Sequence, residues 1–272
     1  MSRAIAKLQQ RMSSVGSMVC VGLDSAIERL PARFVRKRQP QLAFNRWIID
    51  QTLPYAAAYK PNLAFYEARG ADGWTELAET LAHLRATAPD VLTIADAKRA
   101  DIGSTNAGYV RGLFDELGFD AVTLHPYLGR EALRPFLERE DKACIVLCRT
   151  SNPGAGELQD LEVDGAPLWE VVATRVRDEW NDAGNCMLVV GATYPAELAR
   201  VRALCPEIPF LVPGVGAQGG DVEAAIAGGL DNHGGGLLIN VSRSIILADD
   251  PGEEARTMRD TIRAAASVQA AP

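Results

Sequence analysis

Charged side chains are concentrated in residues 96–105, which have the sequence DAKRADIGST and directly follow the apolar segment VLTIA at 91–95. The apolar segment predicts a buried strand. Asp96 and Lys98 are two residues apart, so on a strand or its extension both side chains point to one face. Asp101 lies beyond the strand end. Charges buried there need partners or a ligand, so the segment predicts either an ion network or a catalytic site, and strand ends in α/β proteins favour a site.

The chain around this segment alternates short apolar runs with longer helical patterns. The eight predicted strands are 18–23, 56–59, 91–95, 121–124, 143–147, 187–190, 210–212 and 237–241. The predicted helices are 42–53, 74–87, 106–117, 131–139, 168–181, 195–204, 221–227 and 253–266. Such a series is typical of a (β/α)8 TIM barrel of about 250 residues, here predicted as one domain over residues 1–272. A doubly wound open sheet is the alternative fold, but residues 21–25 lack its Gly-x-Gly-x-x-Gly turn.

In such a barrel, catalytic side chains collect at the carboxyl ends of the strands. Asp24 follows the first predicted strand, Lys60 the second and His125 the fourth. Taken singly, Asp24 is also consistent with a turn or helix cap, and Lys60 with a solvent-facing lysine. His125 fits a core polar group and a wall of the site equally well. Four charges of alternating sign at one barrel mouth (Asp24, Lys60, Asp96 and Lys98) are hard to explain by packing and favour a catalytic site.

The residues after the last two predicted strands suggest a phosphate site. These segments are PGVGAQGG at 213–220 and NVSRS at 240–244. Barrels frequently bind phosphate with the loops after strands 7 and 8, and glycines let backbone N–H groups approach an anion. Arg243 adds a planar fork of donors, and Gln218 can donate an amide N–H. Gly-rich loops also occur as plain turns, so the pattern by itself leaves both interpretations open.

Composition limits the classes of partner. The net charge of −7 argues against nonspecific nucleic-acid binding, although a local pocket can still take a small anion. Five scattered cysteines without metal-site spacing predict free thiols in a reducing, cytoplasmic environment. No apolar run approaches the roughly 20 residues of a membrane span, and residues 1–14 lack the pattern of a signal peptide.

Together these residues resemble the orotidine 5′-phosphate decarboxylase family. The pattern Asp-x-Lys-x-x-Asp-Ile-x-x-Thr starts at Asp96. The other matching elements are Leu23-Asp24, Lys60, the SNPG segment at 151–154, Gln218 and Ser242-Arg243-Ser244. The resemblance spans nearly the whole barrel, and the chain length with the HPYLG segment at 125–129 is similar to the second bacterial subgroup. Shorter members often have Gly where this chain has Ser242, a change that keeps the backbone N–H.

The resemblance implies cofactor-independent and metal-independent decarboxylation of orotidine 5′-phosphate to UMP and CO2, the last step of de novo UMP synthesis. Lys98 would donate a proton to C6 of the pyrimidine, and Asp96 would sit beside the departing carboxylate. Lys60 and Asp24 would complete the charged network and hold ribose hydroxyls.

The resemblance also implies a homodimer with shared active sites, because Asp101, Ile102 and Thr105 would reach into the neighbouring subunit's site. Asp101 would act there with the catalytic lysines. Ser151 would hydrogen-bond the pyrimidine. Gln218 and Arg243 would hold the phosphate.

Two other functions are compatible with the same signature. A sugar-phosphate decarboxylase or synthase of this superfamily would use Mg²⁺ and would be expected to place a carboxylate after strand two, where Lys60 would instead repel the ion. A catalytically silent barrel that binds a nucleotide would need neither Lys98 nor Asp96, and the presence of both argues against it.

Overall fold

The computed structural model of the chain describes residues 1–215 and 220–269. In this part of the chain, eight parallel strands close into a barrel. They are β1 (Val19–Gly22), β2 (Ala58–Lys60), β3 (Leu92–Arg99), β4 (Ala121–Leu124), β5 (Ala143–Arg149), β6 (Cys186–Val190), β7 (Phe210–Val212) and β8 (Leu237–Val241). Because β1 pairs in parallel with both β2 and β8, the sheet has no free edge. The predicted TIM barrel is confirmed.

Helices alternate with the strands and surround the barrel. They are α1 (Arg3–Val15), α2 (Ala32–Val35), α3 (Pro40–Thr52), α4 (Ala64–Glu67), α5 (Gly70–Thr87), α6 (Gly103–Val110), α7 (Gly129–Leu137), α8 (Gly156–Gln159), α9 (Leu168–Arg175), α10 (Pro195–Leu204), α11 (Val222–Gly229), α12 (Arg243–Ile246) and α13 (Pro251–Gln269). Single π-helical segments, Arg111–Glu116 and Val176–Trp180, continue α6 and α9. A short antiparallel hairpin pairs Glu162–Val163 with Ala166–Pro167 between α8 and α9. Each predicted helix matches one of these elements, with ends shifted by a few residues.

The strands are mainly apolar because both of their faces are covered, and their charged residues lie at the carboxyl ends. Alternate side chains point into the barrel, where Cys20, Ala58 and Ile94 belong to one buried cluster. Their neighbours, such as Val21 and Tyr59, belong to a second cluster that includes residues of the surrounding helices. This alternation continues to the strand ends, so the inward position after Ala58 is Lys60 and the one after Ile94 is Asp96.

Helix α1 was not predicted from the sequence. Its first turn is capped by Ser2, whose Oγ accepts a hydrogen bond from the Ile5 N–H at 3.2 Å. Ala4, Ile5 and Leu8 belong to the same buried cluster as the barrel interior, so α1 covers the amino-terminal end of the barrel. These three apolar residues have helical spacing but are interspersed with charged residues, so the local sequence shows only a weak helical period.

All five cysteines are free, as the sequence predicted, and all five are buried. In residues 1–215 and 220–269, no helix is long and apolar enough to cross a membrane.

Candidate active site

Three charged side chains meet at the carboxyl ends of β2 and β3. Lys60 Nζ donates a hydrogen bond to Asp96 Oδ2 at 2.8 Å, and Lys98 Nζ donates to Asp96 Oδ1 at 2.5 Å. The side chains of Lys60 and Asp96 are 5% and 10% exposed, whereas that of Lys98 is 50% exposed. This Lys–Asp–Lys array therefore has a buried half and a half that is accessible to a ligand.

The charges of the array stabilise one another. Burial by itself would raise the pKa of Asp96, but the ammonium groups of Lys60 and Lys98 outweigh it and hold that pKa below its usual value. Burial would likewise lower the pKa of Lys60, but the carboxylates of Asp96 and Asp24 outweigh it and raise that pKa. Beneath them, burial raises the pKa of the Cys20 thiol to about 12. Asp96 and Lys60 are therefore ionised at neutral pH above an uncharged thiol.

An irregularity in β3 brings Asp96 and Lys98 together. The parallel pairing with β4 matches Ala95 with Val122 and resumes only at Arg99 and Leu124, so three residues of β3 stand opposite one residue of β4. Lys98 has a φ of 47°, a conformation that residues with a Cβ rarely adopt. The shared face predicted from strand alternation is correct, but β3 continues past the predicted end and bends there.

Asp24 follows β1, next to the array. It lies close enough to raise the pKa of Lys60, but among the described residues it has no ion-pair partner within 4.0 Å. Its Oδ1 is buried and has no hydrogen-bond partner in the part of the chain that the structure describes. A buried oxygen without a donor is costly, so this atom is able to accept a hydrogen bond from a ligand.

Most other buried polar atoms without a partner also lie near strand ends at this end of the barrel. Among the described residues they are Arg149 Nε, Thr193 Oγ1, Asn240 Oδ1 and Ser244 Oγ, whereas one more, Asn45 Oδ1, belongs to helix α3. Arg149, Thr193 and Asn240 are not among the site residues predicted from the sequence. A polar residue at the end of an apolar strand was the available signal.

The turn after β3 contains Asp101 and Ile102, and the first turn of α6 contains Thr105. The buried Asn106 side chain fixes the Asp101 backbone, accepting from its N–H at 2.9 Å and donating to its carbonyl at 2.6 Å. The Asp101 carboxylate accepts a hydrogen bond from the Ile102 N–H at 2.6 Å, and Ile102 and Thr105 are exposed. Within the described chain, no hydrogen bond or ion pair joins these three side chains to the Lys–Asp–Lys array.

Ser151 is the second residue of the long connection between β5 and α9. A Cβ added to Gly191 would lie 2.8 Å from Ser151 Cβ, so only glycine allows the end of β6 to approach this residue so closely. The Gln159 side chain holds the start of the connection, accepting from the Thr150 N–H at 2.9 Å and donating to Thr150 Oγ1 at 2.7 Å. Ser151 therefore projects from an ordered segment.

Arg149, the last residue of β5, is 3% exposed and links this connection to the barrel. Its guanidinium pairs with Asp160 at 3.2 Å and more loosely with Glu197 at 3.9 Å, and it lies over the Tyr194 ring at 4.1 Å from the ring centroid. The side chain thus connects the residue after α8 to the start of α10.

Arg243 is the first residue of α12, two residues after the end of β8. It is exposed, and within the described residues its guanidinium has no hydrogen bond or ion pair. The preceding Ser242 packs on β1, because a Cβ on Gly22 would lie 2.7 Å from Ser242 Cβ. Gln218 lies outside the described residues, but Val215 and Gly220 on either side of that segment form a parallel bridge.

Among residues 1–215 and 220–269, no group of three or more His, Cys, Asp and Glu side chains could hold a metal ion.

Comparisons with known proteins agree with this geometry. The model of the orotidine 5′-phosphate decarboxylase / HUMPS family matches residues 17–258. An orotidine 5′-phosphate decarboxylase of Herpetosiphon aurantiacus is 47% identical over 259 residues, which cover 95% of this chain and 94% of that one. An orotidine 5′-phosphate decarboxylase of Halorubrum lacusprofundi is 54% identical over 252 residues, covering 91% of this chain and 87% of that one. The solved structure of Leishmania donovani OMP decarboxylase has a TM-score of 0.87 at 40% identity, covering 98% of this chain and 99% of that one.

Proposed function

Because this chain belongs to the orotidine 5′-phosphate decarboxylase / HUMPS family, we propose that it converts orotidine 5′-phosphate to UMP and CO2 in pyrimidine biosynthesis. The observation that carries this proposal is the Lys–Asp–Lys array, with one lysine buried and the other accessible.

The reaction breaks the bond between C6 and the substrate carboxylate and leaves the electron pair on C6. No adjacent carbonyl can delocalise this carbanion, so it needs a nearby positive charge. The Lys98 ammonium supplies that charge and then transfers one proton from Nζ to C6, which completes UMP. Solvent returns a proton to the resulting amine, since half of the Lys98 side chain is exposed.

Asp96 lies beside the substrate carboxylate in this arrangement. Two lysines keep Asp96 ionised, so its carboxylate faces the carboxylate of the substrate in the bound complex, and both groups are negatively charged. Their repulsion is relieved when neutral CO2 leaves, which favours the transition state over the ground state.

The remaining site residues bind the rest of the nucleotide. Lys60 and Asp24 hold ribose hydroxyls, a role supported by the unpartnered, buried Oδ1 of Asp24. Ser151 contacts the pyrimidine, and Gln218 and Arg243 hold the phosphate. The exposed guanidinium of Arg243, which has no ion pair within the described chain, supports an anion there.

We further propose a homodimer in which Asp101, Ile102 and Thr105 enter the partner's active site. The apolar side chains Ile102 and Tyr127 are 62% and 83% exposed, which supports a buried interface on this side of the barrel.

The described residues all belong to the barrel, its helices and their connections, which supports one domain over residues 1–272. Five free, buried thiols support a cytoplasmic location.

The test is an absorbance assay of the purified protein with orotidine 5′-phosphate, with and without prior treatment with EDTA. We expect loss of the substrate absorbance and no effect of the chelator. Activity that EDTA abolishes and Mg²⁺ restores would favour a sugar-phosphate enzyme, which Lys60 at the end of β2 argues against. Nucleotide binding without any change in absorbance would indicate a non-catalytic barrel.

A further inference from the structure

Thr123 of β4 lies opposite the bend in β3 and is 1% exposed. Where the regular pairing of β3 with β4 is interrupted, the Thr123 hydroxyl accepts hydrogen bonds from the backbone of β3. The N–H groups of Ala97 and Lys98 both donate to Thr123 Oγ1, at 3.0 Å and 2.9 Å. A single side-chain oxygen therefore satisfies two consecutive amides at the bend.

The hydroxyl proton of Thr123 has a defined direction. Because Oγ1 already accepts two N–H groups, its own proton is free to be donated. The nearer acceptor is Asp96 Oδ1 at 3.1 Å, and the alternative is the Ala95 carbonyl at 3.5 Å. Asp96 Oδ1 is also the oxygen that Lys98 Nζ contacts at 2.5 Å.

The Thr123 hydroxyl thus holds both ends of Lys98: the backbone N–H directly, and the ammonium through Asp96. Lys98 needs such restraint, because its φ of 47° is unfavourable for a residue with a Cβ. In an unrestrained strand the backbone would relax toward extended values and carry the ammonium away from Asp96.

We propose that Thr123 is a positioning residue for decarboxylation, whose hydroxyl sets the bend in β3 that aims the Lys98 ammonium at the reacting carbon. The inference rests on the proposed role of Lys98 as proton donor. Thr123 itself acts only through its contacts with Lys98 and Asp96, so its effect belongs to the chemical step more than to nucleotide binding.

The first test compares Thr123→Val, which keeps the shape without the hydroxyl, with Thr123→Ser, which keeps the hydroxyl. We expect Thr123→Val to lower kcat by about 10- to 100-fold, as a misplacement near 1 Å does, while the Kd for UMP stays nearly constant. Thr123→Ser should recover most of kcat. Thermal melting shows that each variant is folded at the assay temperature, and Thr123→Ala replaces the valine variant if that does not fold.

The second test is a double-mutant cycle with Lys98→Ala. If Thr123 acts by placing the ammonium, Thr123→Val should cause little further loss in the Lys98→Ala background. Full additivity of the two losses, or an unchanged kcat for Thr123→Val, would overturn the inference. Wild-type protein that fails to consume orotidine 5′-phosphate would instead refute the proposed function.

Discussion

At the scale of single residues, the site depends on one carboxylate that is shared by two lysines of different exposure. Buried Lys60 binds one oxygen of Asp96, and accessible Lys98 binds the other. In the proposed function, the buried charge of Lys60 is held in place beside the ribose, and the accessible charge of Lys98 meets the reacting carbon. The sequence predicted both lysines, but not that the same carboxylate would contact both of them.

Replacing Lys98 with alanine removes the proposed proton donor. We expect kcat to fall by about 10²- to 10⁴-fold, the usual contribution of a general acid, while the Kd for UMP changes little. Steady-state kinetics and UMP titration measure the two quantities. Lys37→Ala, at an exposed lysine in the segment after α2, is the matched control. Turnover near the wild-type rate would contradict the proposed mechanism.

Replacing Asp96 with asparagine leaves Lys60 buried without its partner at 2.8 Å. We expect the free energy of unfolding at neutral pH to fall by about 3–5 kcal/mol, because an uncompensated buried charge is costly. Chemical denaturation measures the change, and Asp249→Asn, an exposed carboxylate, should have little effect. Equal stability of the Asp96→Asn and wild-type proteins would mean that the pair contributes nothing net.

The stability difference between the wild-type and Asp96→Asn proteins should depend on pH. Folding lowers the pKa of Asp96 below its unfolded value of about 3.9, so the unfolded chain binds this proton first as the pH falls. The stabilisation by Asp96 is therefore complete above about pH 5 and is lost as the pH falls through the lower pKa of the folded state. The stability difference between wild type and Asp96→Asn should be constant from neutral pH to this point and then decrease. If the stability difference begins to decrease near pH 7, the pH dependence belongs to a group other than Asp96.

At the scale of elements, irregular segments position the site. The bend in β3 places Lys98, and the connection from β5 to α9 presents Ser151. Both depend on a buried polar residue of a strand, Thr123 for the first and Arg149 for the second. The regular strands form the barrel, and the bend in β3 and the connection after β5 orient the side chains of the site.

Replacing Arg149 with methionine removes the ion pairs to Asp160 and Glu197 while retaining an apolar stem. We expect residues 150–167 to exchange amide hydrogens faster and to be cleaved sooner by proteases, with a higher KM for orotidine 5′-phosphate. Hydrogen-exchange mass spectrometry measures the first effect. Arg175→Met, in an exposed i,i+4 pair, is the control. Unchanged exchange in this segment would show that Arg149 does not hold the connection.

At the scale of the whole molecule, the barrel brings charges from distant parts of the chain to one end, and α1 covers the other end. Of the residues that the resemblance assigns to a partner's site, Ile102 and Thr105 are exposed and Asp101 is half-buried. If each active site contains residues of two subunits, the activity depends on the association of these subunits.

Replacing Ile102 with glutamate places a charge on this surface. We expect the proposed dimer to dissociate at micromolar concentration and the activity per subunit to fall, because Asp101 and Thr105 would no longer reach a neighbouring site. Sedimentation velocity and activity as a function of protein concentration test this together. Val268→Glu, at an exposed apolar residue of α13, is the control. A fully active monomer would refute shared sites.

The sequence by itself determined the barrel, because alternating apolar and helical periods leave few ways to bury every strand. It also indicated a charged catalytic site, because Asp24, Lys60, Asp96 and Lys98 each follow an apolar strand whose end must lie at the mouth, whereas the reaction was implied by the family resemblance. Only the tertiary structure decided which of these groups touch. Thr123 meets Lys98 because three residues of β3 stand opposite one of β4, and Arg149 meets Glu197 because β5 ends beside α10. Such contacts depend on register and local bends between segments far apart in the chain, which no local pattern encodes.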